Sequence, residues 1–231
     1  MWWHDLLGLL KQVFIYGIPA IVIEEFLKMI IGPRIKFKIR YSFNNIIKKL
    51  SDPSIPVEYV RKSNYFDQFL KADELRFNFI NALSNANVKA SIEAGDIKIE
   101  EFKRRGVSVN GYIRFAYDSF QEELISGLEI IIFSKCHYNE FPEDIFGISK
   151  CIDSIEQIIR PYLPINVKYS DILACNLTKI YQITGVLDNL NMKYLQFDGE
   201  INMELEKDRV ILYDLGPKSL SLLKTLVTLY Y

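Results

Sequence analysis

The sequence is short of the residues that most enzyme chemistry needs. Only two histidines, His4 and His137, occur in 231 residues, so the commonest general acid–base side chain is nearly missing. Three cysteines, Cys136, Cys151 and Cys175, stand at wide spacing with no C-x-x-C pair. That excludes a disulfide framework and a cysteine-based zinc site, and it points to a reducing, cytoplasmic setting. Glycine and proline, at 11 and 8, are too few for a collagen-like or linker-like chain. No G-x-S-x-G, P-loop, G-x-G-x-x-G or H-E-x-x-H is present, so no phosphate cradle, nucleophile elbow or zincin helix is expected. The longest charge-free apolar run, Gln12 to Ile23, falls short of the roughly 20 residues of a membrane span. The start Met1-Trp2-Trp3-His4-Asp5 lacks a cationic leader, so no secretory signal is expected.

What is there is an ordinary globular composition, 49% hydrophobic and 25% charged, with a net charge of −1. The charge is unevenly placed. No acidic residue occurs from Gly32 to Ser51, where Arg34, Lys36, Lys38, Arg40, Lys48 and Lys49 fall. Those six of the 28 basic residues leave 22 against 29 acidic ones elsewhere. Over Arg34–Arg40 apolar and cationic residues alternate strictly, which predicts a strand with four cations on one face.

Residues 6–31 are the most apolar part. Leu6, Leu7, Leu9, Leu10, Val13 and Phe14 share one side at a 3.6-residue period; after Gly17-Ile18-Pro19, Ile21, Val22, Ile23, Phe26, Met29 and Ile30 form a second stripe. The pattern predicts two amphipathic helices joined by a kink. Helices of this kind lie in a membrane interface, with Trp2 and Trp3 at its tip, or pack on a protein partner or a second copy of the chain. The adjoining cations favour an anionic cytoplasmic leaflet, so Trp2, Trp3 and the six cations are the candidate contacts.

Beyond the punctuation Ser51-Asp52-Pro53-Ser54-Ile55-Pro56 the expected class is α+β with an antiparallel sheet. The expected domains are 1–32 (apolar helices), 33–52 (basic strand and connector) and 60–231 (α+β). Periodicity predicts a helix from Asn64 to Leu83 and strands near 87–93, 97–102, 107–117 and 128–136. A helix from Asp144 to Arg160 follows, capped by Asp144, with Ile145, Ile148, Ile152, Ile155 and Ile159 on its core face. Strands near 166–175, 178–184, 192–197, 200–205 and 209–214 precede a last helix opened by Pro217. Asn87-Val88-Lys89 recurs as Asn166-Val167-Lys168, Tyr112–Phe115 as Tyr194–Phe197, and Leu128–Phe133 as Arg209–Tyr213. The offset stays near 80 residues, which suggests a duplicated unit at 85–163 and 164–231. Such an arrangement is similar to duplicated α+β folds, the TATA-binding-protein-like saddle among them. None of those families' signature residues is matched, and no functional residue carries over.

Cys136 and His137 look like a thiol–imidazole pair, but neighbours in a strand point to opposite faces. Glu24/Glu25, Glu100/Glu101 and Glu122/Glu123 are adjacent pairs, read most simply as solvated charge. The chain is therefore expected to be a membrane-associated, non-catalytic binding or scaffolding protein, without cofactor or metal, whose α+β domain takes a partner protein or a small apolar ligand. A nucleic-acid binder using the sheet and the Arg34–Lys49 stripe is the alternative. A further alternative is an enzyme with a site between the repeats that uses Cys175 or acidic residues.

Overall fold

A computed structural model describes residues 33–65, 70–104, 106–117, 124–164, 167–177, 194–197, 201–206, 208–213 and 215–231. The expected kinked helix pair of residues 6–31, and the strand near 178–184, lie outside the described residues. The chain divides into two compact units, 1–47 and 48–231.

The basic segment is a helix, α1 (Pro33–Ser51), where the alternation predicts a strand. The reason lies in the longer window. Ile35, Ile39, Phe43, Ile46, Ile47 and Leu50 recur at three- and four-residue steps, and that period outlasts the seven-residue alternation. Pro33 suits the first helical position, and Lys48 and Lys49 suit the last turn. Asp52, with φ 42°, closes the helix in the left-handed region, its N–H on the Lys48 carbonyl at 2.8 Å.

The second unit is built on an antiparallel sheet. Its strands are β1 (Ser54–Tyr65), β2 (Leu70–Lys71), β3 (Lys89–Glu93), β4 (Asp96–Arg104), β5 (Val107–Tyr117), β6 (Leu124–His137), β7 (Val167–Asn176), β8 (Tyr194–Phe197), β9 (Ile201–Leu205) and β10 (Arg209–Leu212). They run in the order β3-β4-β5-β6-β1-β7-β10-β9-β8, with β2 added beside β6. The central strand thus takes in Ser54–Pro56, read from the sequence as punctuation, residues 57–63, for which no element is predicted, and Asn64 and Tyr65, where a helix is expected to begin. Ile55, Val57, Tyr59, Ser63 and Tyr65 are buried at alternate positions, so two prolines near the start did not prevent a strand. The helix predicted from Asn64 starts later, as α2 (Ala72–Asn85).

Helices α3 (Phe141–Ile159) and α4 (Pro217–Tyr230) complete the unit. Phe141, Ile145, Ile148, Ile152, Ile155 and Ile159 of α3 are all buried, forming one core with Ile97, Ile113, Ile130 and Ile132 of the sheet and Leu223 and Val227 of α4. Asp144 does not cap α3. It lies in the first turn and accepts the His137 backbone N–H at 2.7 Å. The β3–β4 hairpin turns through Ala94 (φ 51°) and Gly95 (φ 89°), the two positive φ values of a tight hairpin. A methyl on Gly111 would meet the Ile131 carbonyl oxygen at 1.9 Å, so β5 and β6 can approach there only with glycine.

Of the sequence anchors for a repeat, Leu128–Phe133 and Arg209–Tyr213 fall on β6 and β10, each followed by a helix. Of another anchor, Lys89–Ser91 fall on an edge strand and Val167–Ser170 on a central one, which are not equivalent places in the sheet.

Candidate functional site

The central pair β1–β7 sets Arg61 directly opposite Asp171, with Tyr59 two residues along the same face of β1. Arg61 shares its parity with Ile55, Val57 and Tyr59, so its guanidinium is carried to the helix-covered side. There α3 presents Ile145, Ser149, Asp153 and Glu156 at four-, four- and three-residue steps.

Arg61 donates through Nε and Nη2 to the two Asp171 oxygens, both at 2.8 Å, and through Nη1 to Asp153 and Glu156, both at 2.9 Å. Only 12% of its side chain is exposed. Its hydrogen bonds, with Asp171 first, outweigh burial and hold it firmly charged. Burial acts against the charged form of Asp153. Hydrogen bonds from Lys150 and Arg61 win, and its carboxyl is held below the usual range. The network ties α3 to both central strands.

A cleft of about 440 Å³ opens beside it. Its polar lining is Tyr59, Ser149, Asp171 and Tyr213, whose hydroxyl donates to Glu204 at 2.7 Å; its apolar walls include Ile145 and Phe146 of α3, Leu215, and Leu220 of α4. The Tyr59 hydroxyl donates to Asp171 Oδ2 at 3.0 Å and lies 3.5 Å from Ser149 Oγ. Burial, chiefly, raises the Tyr59 hydroxyl to about 12, so it stays protonated and cannot activate Ser149 as a base at neutral pH. Cys175 is fully buried, and burial pushes its thiol up to about 12. It therefore makes a poor nucleophile.

The candidate contacts chosen from sequence are distributed differently. Trp2 and Trp3 lie outside the described residues, as does the side chain of Arg34. Lys36, Lys38, Arg40 and Lys49 lie on α1, and helical geometry spreads the cations that a strand would have aligned. Lys48 turns inward instead: its Nζ donates to the carbonyls of Val227 and of Thr228 (2.9 Å) at the end of α4. The side chains of α1 that do reach solvent include apolar ones. Ile35, Phe37, Ile39, Phe43, Ile46, Ile47 and Leu50 are exposed, Leu50 by 84%.

On the sheet face away from α3, Tyr112, Ile131, Val60 and Ile172 stand in register across four strands. Two cations of that face are paired, Lys62 with Glu129 at 2.9 Å and Arg209 with Glu58 at 3.8 Å, and Lys135 and Lys168 share the face by register.

Sequence reading missed Tyr59, Arg61 and Asp171 as a site. A signal was available: a charged residue, Arg61, sits on the apolar parity of 55-57-59. No protein-family model matches the chain, and no curated protein matches it closely. Among the described residues no group of His, Cys, Asp and Glu could hold a metal ion, and no helix is long and apolar enough to cross a membrane.

Proposed function

We propose that the protein is a membrane-surface-associated binding protein, with α1 lying in the interface of an anionic membrane and the α+β unit carrying a bound ligand. The observation behind this reading is the exposed stripe of α1. At about 100° per residue, Ile35, Ile39, Phe43, Ile46, Ile47 and Leu50 share one side of the helix. Arg40 borders the stripe on one edge and Lys38 and Lys49 on the other, while Lys36 falls within it beside Ile47. Cations flanking an apolar face are placed to reach headgroups while the face enters the acyl boundary. Each cation near an anionic surface contributes about 1 kcal/mol. Lys48, about 160° round from the stripe, is the one that turns to α4.

Flotation of the full chain with vesicles of phosphatidylcholine, with and without one-third phosphatidylserine, tests the reading. Binding to the anionic vesicles that weakens with salt, and falls at least about tenfold in Ile39→Glu/Ile46→Glu, is the expected result. No binding to either vesicle, or equal binding by the double variant, overturns it.

The finer reading of the fold also belongs here. We infer a duplicated unit in a register other than the 80-residue offset. It pairs β1 with β7 at the centre, β6 with β10 beside them, and α3 with α4. The sheet order β1-β6-β5-β4 facing β7-β10-β9-β8 supports it.

A further inference from the structure

We propose that the cleft between α3 and α4 binds a small amphiphile with a protonated amine at one end, the ammonium against Tyr59, Ser149 and Asp171 and the apolar body between Phe146 and Leu220. This rests on the α+β unit being the ligand-binding part of the protein, and is independent of any membrane contact by α1.

The hydrogen-bond inventory of the polar wall sets the chemistry. Asp171 has about four acceptor positions. Three are used: Oδ1 by Arg61 Nε, and Oδ2 by Arg61 Nη2 and the Tyr59 hydroxyl. One acceptor direction remains, on Oδ1. The single proton of Tyr59 goes to Asp171, the shorter of its two contacts, so the phenol oxygen faces the cleft as an acceptor. Ser149 Oγ, at 3.5 Å from that oxygen, brings a further acceptor and the wall's one spare donor. At Tyr59, Ser149 and Asp171, three acceptors against one donor match an ammonium, which has three donors and no acceptor, and Tyr213, its proton given to Glu204, adds no donor. A carboxylate offers acceptors only, to a wall already rich in them.

Charge points the same way. Asp171, Asp153 and Glu156 surround Arg61, and Lys150 bonds Asp153 at 3.0 Å. Arg160, linked to Glu156 through Tyr169, balances the cluster as a whole, but of its charged groups only the Asp171 carboxylate lines the cleft, where a cationic ligand meets its charge and an anionic one is repelled. Volume limits the body: about 440 Å³ lies near the small end of ligand pockets. Phe146, 61% exposed with Lys150 Nζ 5.2 Å from its ring centroid, forms the outer lip.

The test uses the full chain in buffer without vesicles, titrated with hexylamine, hexanol and hexanoate at pH 7 and followed by calorimetry and thermal unfolding. Asp171 is a poor choice for substitution because it also holds Arg61. Ser149→Phe and Leu220→Trp fill the cleft from opposite walls and leave the Arg61 network in place. Saturable binding of hexylamine with a raised Tm, at least about tenfold tighter than hexanoate and lost at least about tenfold in both filled variants, is expected. No hexylamine binding, hexanoate binding as tightly as the amine, or undiminished binding by both filled variants overturns the proposal. Because no lipid is present, that failure is separate from failure of the vesicle experiment.

Discussion

Helices α1 and α3 are each 19 residues long, and both carry an isoleucine-rich stripe at helical spacing. Their fates differ. Ile148, Ile152, Ile155 and Ile159 of α3 are fully buried, whereas Ile35 and Ile46 of α1 are each 56% exposed. The flanks differ as well. Asp153 and Glu156 of α3 share Arg61 with the sheet, while α1 has cations on both borders of its stripe and no acid at all. Amphipathicity alone therefore does not say what a helix packs on. The charges bordering the stripe are more telling: mixed charge accompanies an internal partner, and charge of one sign suits a surface of the other sign.

The largest way to sharpen this contrast is to cut the network that fixes α3. Arg61→Met leaves Asp171, Asp153 and Glu156 crowded without their cation, and costs about 3–5 kcal/mol in urea unfolding. Next comes the α3 stripe itself. Ile148→Ala, at a fully buried position, costs about 2–5 kcal/mol by the same measurement. A cost near zero at Ile148 would place α3 on the same footing as α1 and remove the contrast.

A smaller effect follows from acid. Asp153 is held below its ordinary range in the folded protein, so its contribution is present above the unfolded carboxylate value of about 3.9 and is lost as pH falls through the lower folded value. Urea midpoints measured from pH 5 to pH 2.5 should fall less steeply in Asp153→Asn than in the parent. An equal slope removes Asp153 from the acid-sensitive set.

How much of this could be read beforehand depended on whether pattern and packing agreed. Strands β4 to β6 and helix α3 were legible because alternation and 3.6-residue spacing each ran long enough to be unambiguous, as in Ile145 to Ile159. The segment Arg34–Arg40 failed because seven alternating residues fit a strand, while the longer stripe to Leu50 fits a helix. β1 was obscured by Pro53 and Pro56, yet Pro56 is tolerated because pairing with β7 begins only at Val57, so at Pro56 the strand is bordered by β6 alone. The site was the least legible part. Asp171 and Ser149 lie 22 residues apart in sequence and meet Tyr59 only through the β1–β7 pairing and the placement of α3 above it. No local pattern encodes that meeting; only the charge on Arg61, at an apolar parity, hints at it.

The smallest expected effect is the most discriminating. Ile46→Ala removes the same atoms as Ile148→Ala, but from a side chain that is 56% exposed. In urea unfolding without lipid it should change stability by no more than about 0.5 kcal/mol, as surface substitutions do. With anionic vesicles present the comparison shifts. The removed methyl and methylene groups then have an acyl boundary to enter, and their loss should weaken vesicle binding by about 1 kcal/mol, or about fivefold. The two readouts together separate the causes. A large loss in urea with no change at vesicles means that Ile46 serves the protein's own packing, and α1 then differs from α3 in degree only. A small loss in urea with a measurable loss at vesicles means that the stripe of α1 is completed by a surface outside the protein.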